Sequence, residues 1–451
     1  MRSSAVSLTS GSITKGIISF SIPILISNLF QQLYNSIDTA VVGTFAGQTA
    51  LAAVGSTGSL INLLIGFFLG IATGAGVLYA MYYGSDDHES LKKLIDTALI
   101  LGVICGVFIS VIGIVFAKQF LLMMDCPEDV IPEAAQYLRV YLAGTVITII
   151  YNISAGMIRS EGDSTRPLIY LVISGVSNLI LDLLFVAVFK MGVVGAALAT
   201  VLAQTIAAVL TVRRLMKLDE RYRLRLKSIR LDKFMCMKLV RVSVPCGIQG
   251  SMFSISNLLI QAKINSFGSI AMAGIAAYSR IDGFVYMPMM ALTMATSTYV
   301  GQNIGAGKLY RVKKGIGVCM LITCILSITM GVLVFVFCKN LVGLFTQDAD
   351  AQAYAIQMMH YLAPCAWIFS FSDILGGAIR GSGDTVKVTV ITALCICLFR
   401  IVWLIPLLHF FNDIRIVFLS YPVSWVLCSM VMIIYFFKGS KLWKDIRAVH
   451  A

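Results

Sequence analysis

Charge is scarce in this sequence. Lys, Arg, Asp and Glu together make up 13% of the 451 residues, about half the usual share of a soluble domain. Apolar residues reach 58% and mean hydropathy is +0.89. A soluble chain could not cover that much apolar surface, so the excess faces lipid. Several motifs are also missing. The eleven cysteines are scattered, mostly inside apolar runs, and form no CxxC or Cys/His metal spacing. They read as small reduced hydrophobes. The chain has no Walker A sequence, no H-E-x-x-H and no G-x-S-x-G, which argues against ATP-driven pumping or hydrolysis and for a protein that is not an enzyme and needs no cofactor. The net charge of +13 lacks the basic stripe with interleaved aromatics that nucleic acid requires. The first apolar stretch is too long for a signal h-region, has no evident cleavage site and is expected to remain as a helix.

What is present is a series of apolar runs long enough to cross about 30 Å of hydrocarbon. They are expected near residues 16–43, 50–82, 94–117, 132–157, 167–190, 192–213, 238–264, 271–302, 315–338, 352–379, 387–410 and 413–437. If both termini lie on one side, that side collects 27 of the 35 basic residues, Arg2 among them, and the other side four: Lys118, Lys190, Lys339 and Arg415. The positive-inside rule then places both termini in the cytoplasm, and the even number of spans agrees. The expected location is the cell (plasma) membrane, with lipid as the surrounding partner.

The two halves repeat at an offset of about 220 residues. Ser21-Ile22-Pro23 returns as Ser243-Val244-Pro245, and Tyr141-Leu142-Ala143-Gly144 as Tyr361-Leu362-Ala363-Pro364. Lys92-Lys93 returns as Lys313-Lys314. The polar loop Arg159-Ser160-Glu161-Gly162-Asp163-Ser164 returns as Arg380-Gly381-Ser382-Gly383-Asp384-Thr385. Six spans per half make the repeats parallel. The expected fold is an all-α membrane protein: twelve transmembrane helices in two six-helix lobes, related by a pseudo-two-fold axis along the membrane normal. The lobes are expected at 1–214 and 238–451, joined by a basic cytoplasmic linker at 215–237. Two such lobes suit alternating access by rocking.

Acids inside spans are costly and face protein or water. Asp38 and Asp182 are expected at similar depth in the outer half of the first lobe. Tyr34 and Asn178 each stand one helical turn before them and so share their faces, and Thr200 lies at similar depth. Such an oxygen-rich cluster can bind Na⁺ at Asp38, Asn178, Asp182 and Thr200. It can instead hold a proton between paired carboxylates, or simply fix helix packing. A second-lobe site is considered at Asp282, Asp373 and Arg400, with Asp373 the first candidate partner for Arg400. Met287, Met290 and Met294 suit an adaptable apolar substrate cleft. Pro23 and Pro245, at equivalent places in spans one and seven, are candidate helix hinges.

With these motifs the chain resembles the multidrug and toxic compound extrusion (MATE) family over nearly its whole length. The resemblance rests on Ser21-Ile22-Pro23 and on Asp38 within Ile37-Asp38-Thr39-Ala40-Val41-Val42-Gly43. It also rests on Val300-Gly301-Gln302-Asn303-Ile304-Gly305-Ala306-Gly307 and on the Arg380 loop. It implies export of small organic, often cationic and lipophilic, compounds in exchange for Na⁺ or H⁺. In the prokaryotic branch with a first-lobe cation site, the functional positions match Tyr34, Asp38, Asn178, Asp182 and Thr200. Pro23 matches a proline linked to bending of the first helix. Another branch carries a glutamate in the seventh helix. The segment Ser243-Val244-Pro245-Cys246-Gly247-Ile248-Gln249-Gly250 has no acid, which weakens a second-lobe coupling site. The alternative is a flippase for lipid-linked oligosaccharides, which would want a strongly cationic cavity. A non-transporting scaffold or receptor leaves the intramembrane acids unexplained. A monomer is expected.

Overall fold

The computed structural model describes residues 6–124, 126–411 and 413–448; Arg2, part of the basic count, lies outside them. Seventeen α-helices follow one another, with no β-strand among the described residues. They are α1 (Ile13–Phe45), α2 (Gln48–Gly84), α3 (His88–Met123), α4 (Ile131–Ala143), α5 (Thr145–Ser160), α6 (Thr165–Asp182) and α7 (Gly192–Met216). In the second half come α8 (Lys233–Asn265), α9 (Ser269–Gly305), α10 (Leu309–Val336), α11 (Cys338–Gly343), α12 (Ala349–Leu362), α13 (Ala366–Gly381), α14 (Thr385–Thr392), α15 (Phe399–Phe411), α16 (Ile414–Ile434) and α17 (Lys441–Ala448).

Among the described residues nine helical stretches are long and apolar enough to span a membrane, and α4 with α5 forms a tenth, bent by 47°. Helices α8 and α9 complete the twelve. At 33 and 37 residues they extend about 50 and 55 Å, ample for a bilayer. Their apolar average is diluted by Lys238, Arg241, Gln249, Asn257, Gln261 and Lys263 in one and by Arg280 and Asp282 in the other.

The repeat extends to backbone geometry. Helices α1 and α8 both have 33 residues, and α2 and α9 both have 37. Left-handed residues recur at the repeat offset: Gly47 with Gly268, Gly162 with Gly383, and Asp86 with Gly307. The fourth and tenth spans, expected as continuous helices, are broken at matching places. The first breaks at Gly144, whose missing Cβ leaves room for Val201, a side-chain carbon of which would lie 2.5 Å away. The second breaks in the 3₁₀ turn Ala363–Cys365, where Pro364 denies the helix a donor. π-helical segments at Leu183–Val188 and Ala393–Leu398 interrupt the fifth and eleventh spans.

The chain forms two compact units. One comprises residues up to Val6 and Ile26–Gly247; the other comprises Ser7–Leu25 and Ile248–Ala451. Both α1 and α8 therefore change unit two residues after their proline, Pro23 and Pro245.

Within the first unit the core joins Phe68, Tyr79, Leu94, Ile153 and Met157 to Leu215, Leu224 and Leu239. The basic segment 215–237 is thus docked on the first unit. Tyr222 donates to Glu161 Oε1 at 3.3 Å, and Arg214 Nη2 lies 3.4 Å from Glu161 Oε2. The His88 ring stacks on Tyr222 at 5.4 Å. The Asp232 N–H donates to Thr97 Oγ1 at 3.2 Å. Burial pushes the Glu161 carboxyl above its usual range, with Arg214 and the Tyr222 hydroxyl pulling the other way. In the second unit the N-terminal segment is held by backbone carbonyls. Asn303 donates to Leu8 O at 3.1 Å, Lys308 to Thr9 O at 2.9 Å, and Arg311 to Gly11 O at 2.9 Å.

Candidate cation site in the first unit

Helix α1 carries Tyr34 and Asp38, α6 carries Asn178 and Asp182, and α7 carries Thr200. The structure brings all five together. Close approach of α1 and α6 depends on Gly175. A Cβ there would lie 2.6 Å from a ring carbon of Phe30 and 3.6 Å from the Tyr34 ring. Helices α6 and α7 are tied by Ser174 Oγ, which donates to Ala203 O at 2.7 Å.

One turn on from this contact, Asn178 is 1% exposed and Asp182 is fully buried. The Asn178 amide donates to Asp182 Oδ2 at 2.8 Å and accepts from the Thr200 N–H at 3.2 Å. Thr200 Oγ1 donates back to Ala196 O at 3.1 Å and stands within hydrogen-bonding reach of the Tyr34 hydroxyl. The carboxylates of Asp38 and Asp182 lie within hydrogen-bonding reach of each other. Each also keeps one oxygen, Oδ1, shut off from solvent with no hydrogen-bond partner among the described residues. Two facing carboxylates repel unless a proton or cation lies between them, and buried oxygens without donors are expensive. The donor set is all oxygen, as a hard cation prefers. It can accept Na⁺ or a proton on the same chemistry.

Sequence reasoning missed the wall around this cluster. Tyr137 and Tyr141 stack at 6.3 Å and are both buried. The Tyr141 hydroxyl reaches Gln204, one turn beyond Thr200 on α7, and Thr148 Oγ1 donates to the same Gln204 Oε1. Asn152 Nδ2 donates to Thr148 O at 2.8 Å. The i,i+4 spacing of Tyr137 with Tyr141, and of Thr200 with Gln204, is the signal that could have found them. The π-helical segment begins at the residue after Asp182. Such segments alter the register of a helix and recur at functional sites.

The acids of the second unit are not brought together in this way. Asp373 accepts from Thr293 at 2.9 Å and from Tyr286 at 3.2 Å. Asp282 accepts from Tyr278 at 2.9 Å. The expected pairing of Arg400 with Asp373 is corrected. Arg400 donates to Ser424 Oγ at 2.9 Å, lies 4.2 Å from the centre of the Tyr421 ring, and interacts electrostatically with Asp282. A buried guanidinium is served by an aromatic face and a hydroxyl as well as by an acid. Asp282 also lines a small cavity with Tyr278, Gly331, Ala363 and Trp425, with room for about one water molecule. Met287 and Met294 are half-buried and Met290 is 39% exposed, whereas Met289 is packed and its sulfur accepts from Ser327 at 3.2 Å.

The MatE family model matches residues 23–184 and 245–404. "Probable multidrug resistance protein YoeA" of Bacillus subtilis is 29% identical over 92% of each chain. "Multidrug export protein MepA" of Staphylococcus saprophyticus is 22% identical over 83% of this chain and 84% of its own length. Among solved structures, a MATE protein in the bent conformation superposes with a TM-score of 0.91 over 99% of both chains at 22% identity. An outward-facing multidrug resistance MATE family transporter gives 0.89 over 100% of this chain and 99% of its own. At these identities the superpositions bear on the fold alone.

Proposed function

Because the chain belongs to the MatE family, we propose that it is a secondary antiporter that exports small, lipophilic, chiefly cationic organic compounds in exchange for Na⁺ or H⁺ by alternating access. The observation that carries the reading is the facing pair Asp38 and Asp182, with Asn178, Thr200 and Tyr34 completing an oxygen cage around it. The names of the relatives support the substrate class.

In this mechanism the coupling ion, or proton, is a transported substrate. It binds between the two carboxylates, removes their repulsion and draws α1 towards α6. Release restores the repulsion. An exchange cycle needs only that this site bind more tightly in one access state than in the other. Pro23 and Pro245 are hinges of α1 and α8 in this reading, supported by the change of unit two residues beyond each. The lobes 1–214 and 238–451 move as the working parts, with 215–237 as the cytoplasmic connection. Met287, Met290 and Met294 line the substrate path, and Asp282, Asp373 and Arg400 are second-lobe polar groups of lesser effect. The protein acts as a monomer in the plasma membrane with both termini in the cytoplasm, a reading supported by its loop charge.

The test is transport by the purified protein in proteoliposomes, with Na⁺ and pH gradients imposed separately. Ethidium moves uphill under at least one of them. Movement that ignores both gradients overturns the antiporter reading.

A further inference from the structure

The stretch that leads into α8 packs on the first unit by one set of side chains only. Leu224, Met235 and Leu239 are buried in the core, and Ile229 packs against it. Leu226, Leu231, Phe234 and Met237 point elsewhere and are exposed, Phe234 to 72% and Met237 to 63%. Four exposed cations stand among them: Lys227, Arg230, Lys233 and Arg241. Among the described residues none of these four side chains has a hydrogen bond or an ion pair. The single acid between residues 225 and 241 is Asp232. It is engaged within the unit: its N–H donates to Thr97 Oγ1 at 3.2 Å, and its Oδ1 accepts from the Met235 N–H at 2.7 Å.

Depth follows from the sequence of α8. After Arg241 the next charge is Lys263, and the 21 residues between them carry none. Those residues extend about 31 Å, the thickness of the hydrocarbon layer. Arg241 therefore stands where the headgroups begin. Lys233, Met237 and Arg241 follow at i, i+4 and i+8 and share one face of the helix, with Phe234 beside them. On the hydrocarbon side of Arg241 the exposed helix surface continues as Val244 and Ile248. The fold does not require these cations. In the first half the matching residues 3–19 hold one, Lys15, and no aromatic, and Leu8 and Ile17 there are buried. Orientation does not require them either, since the other loops on that side still far outnumber the opposite side's four basic residues.

From this arrangement we infer that residues 226–241 form a binding surface for anionic phospholipid. Lys227, Arg230, Lys233 and Arg241 pair with headgroup phosphates, and Leu226, Leu231, Phe234 and Met237 enter the boundary with the acyl chains. Apolar side chains set among cations are the pattern of a segment that lies in the membrane interface. An anionic leaflet attracts cations next to a span. A soluble phosphate would satisfy the cations and leave the apolar side chains in water. The inference is independent of the exporter reading, because it concerns lipid and not cargo.

The experiment is native mass spectrometry of the purified full-length protein, titrated in detergent with phosphatidylglycerol and, separately, with phosphatidylcholine. The wild-type protein should bind the anionic lipid more tightly. One variant combines Lys227→Gln, Arg230→Gln, Lys233→Gln and Arg241→Gln. It should lose about fivefold or more of the affinity for phosphatidylglycerol, the worth of at least one cation near an anionic surface. A control combines Lys313→Gln, Lys387→Gln, Lys441→Gln and Lys444→Gln, four exposed cations of the second unit. Its affinity should stay within about twofold on the same scale. Phe234→Ser should weaken both lipids alike. The pair Lys233→Gln and Arg241→Gln alters only two exposed positions and should lower the preference in the same direction, should the fourfold change prevent folding. The inference is overturned if the wild-type protein has no preference for phosphatidylglycerol, or if the control loses as much as the first variant. It is also overturned if Phe234→Ser leaves both affinities unchanged, or if glycerol 3-phosphate or polyglutamate displaces the lipid at equal concentration.

Discussion

The carboxylates of Asp38 and Asp182 reach each other from the first and fifth spans, and each keeps an oxygen that no described donor satisfies. Two such groups titrate and bind as a unit. Asp38→Asn and Asp182→Asn should each abolish uphill efflux while expression stays normal. The double variant should be little worse than either single one. Asp282→Asn should be milder, because its partner is a tyrosine hydroxyl. Gradient-driven dye efflux in everted vesicles is the measurement. Near-normal efflux by Asp38→Asn would reduce the cluster to a packing network.

Gly175 controls how closely α1 can lie on α6. Gly175→Val adds an isopropyl group whose Cβ alone would lie 2.6 Å from a ring carbon of Phe30, at a typical overpacking cost of about 1–3 kcal/mol. Efflux should fall and its dependence on the driving cation should shift to higher concentration. Adding Phe30→Ala to the same chain should restore part of the activity. If the second change makes matters worse, the contact is not what limits the site.

Orientation can be read by cysteine labelling. Single cysteines at Gln48, Gln119 and Asp350 should react with an impermeant reagent from outside, and cysteines at Ser228 and Lys444 only from inside. All five positions are exposed. Ser440, attractive from sequence, is 1% exposed and bonded to Phe436 O, so it would label poorly from either side. Reversed labelling would overturn the orientation taken from loop charge.

Glu161 gives a pH dependence outside the spans. Arg214, Tyr222, Tyr79, Tyr83, Asp163 and Arg166 are the charged and titratable groups around it. Burial raises its carboxyl above the usual range of about 4.3. The contribution of a group shifted in this direction is fully present below the unfolded-state value and is lost as pH rises through the folded-state value. The melting temperature of the wild-type protein minus that of Glu161→Gln should therefore fall between acid and neutral pH. A difference that grows with pH would mean that Arg214 outweighs burial.

Much of this was legible in the sequence. Hydropathy marked the spans, because it is a property of single segments, and the repeat marked the two halves, because the same motifs return at one offset. Asp38, Asp182 and Thr200 were legible because their depths could be counted from the span ends, and Tyr34 and Asn178 because each stands one helical turn before an acid. What hydropathy could not see is backbone register. The break at Gly144, the 3₁₀ turn at Ala363–Cys365 and the π-helical segment after Asp182 leave the apolar average unchanged. Nor could it find partners set by packing between distant spans. Arg400 with Ser424 and Tyr421, and Gln204 with Tyr141 and Thr148, depend on which helix faces meet. The path of α1 and α8 from one unit into the other is equally invisible, because each runs on as one unbroken helix.

That path has a consequence for cutting the chain. A break in the segment 215–237 would give two fragments of nearly equal length, each with six spans. Neither would be self-sufficient. The N-terminal fragment would carry residues 7–25, which belong with the second unit. A C-terminal fragment starting near residue 238 would carry residues up to 247, which belong with the first. Each would expose a surface meant for a piece held by the other. The fragments should be degraded when made singly and should reassemble into an active pair when made together in one cell.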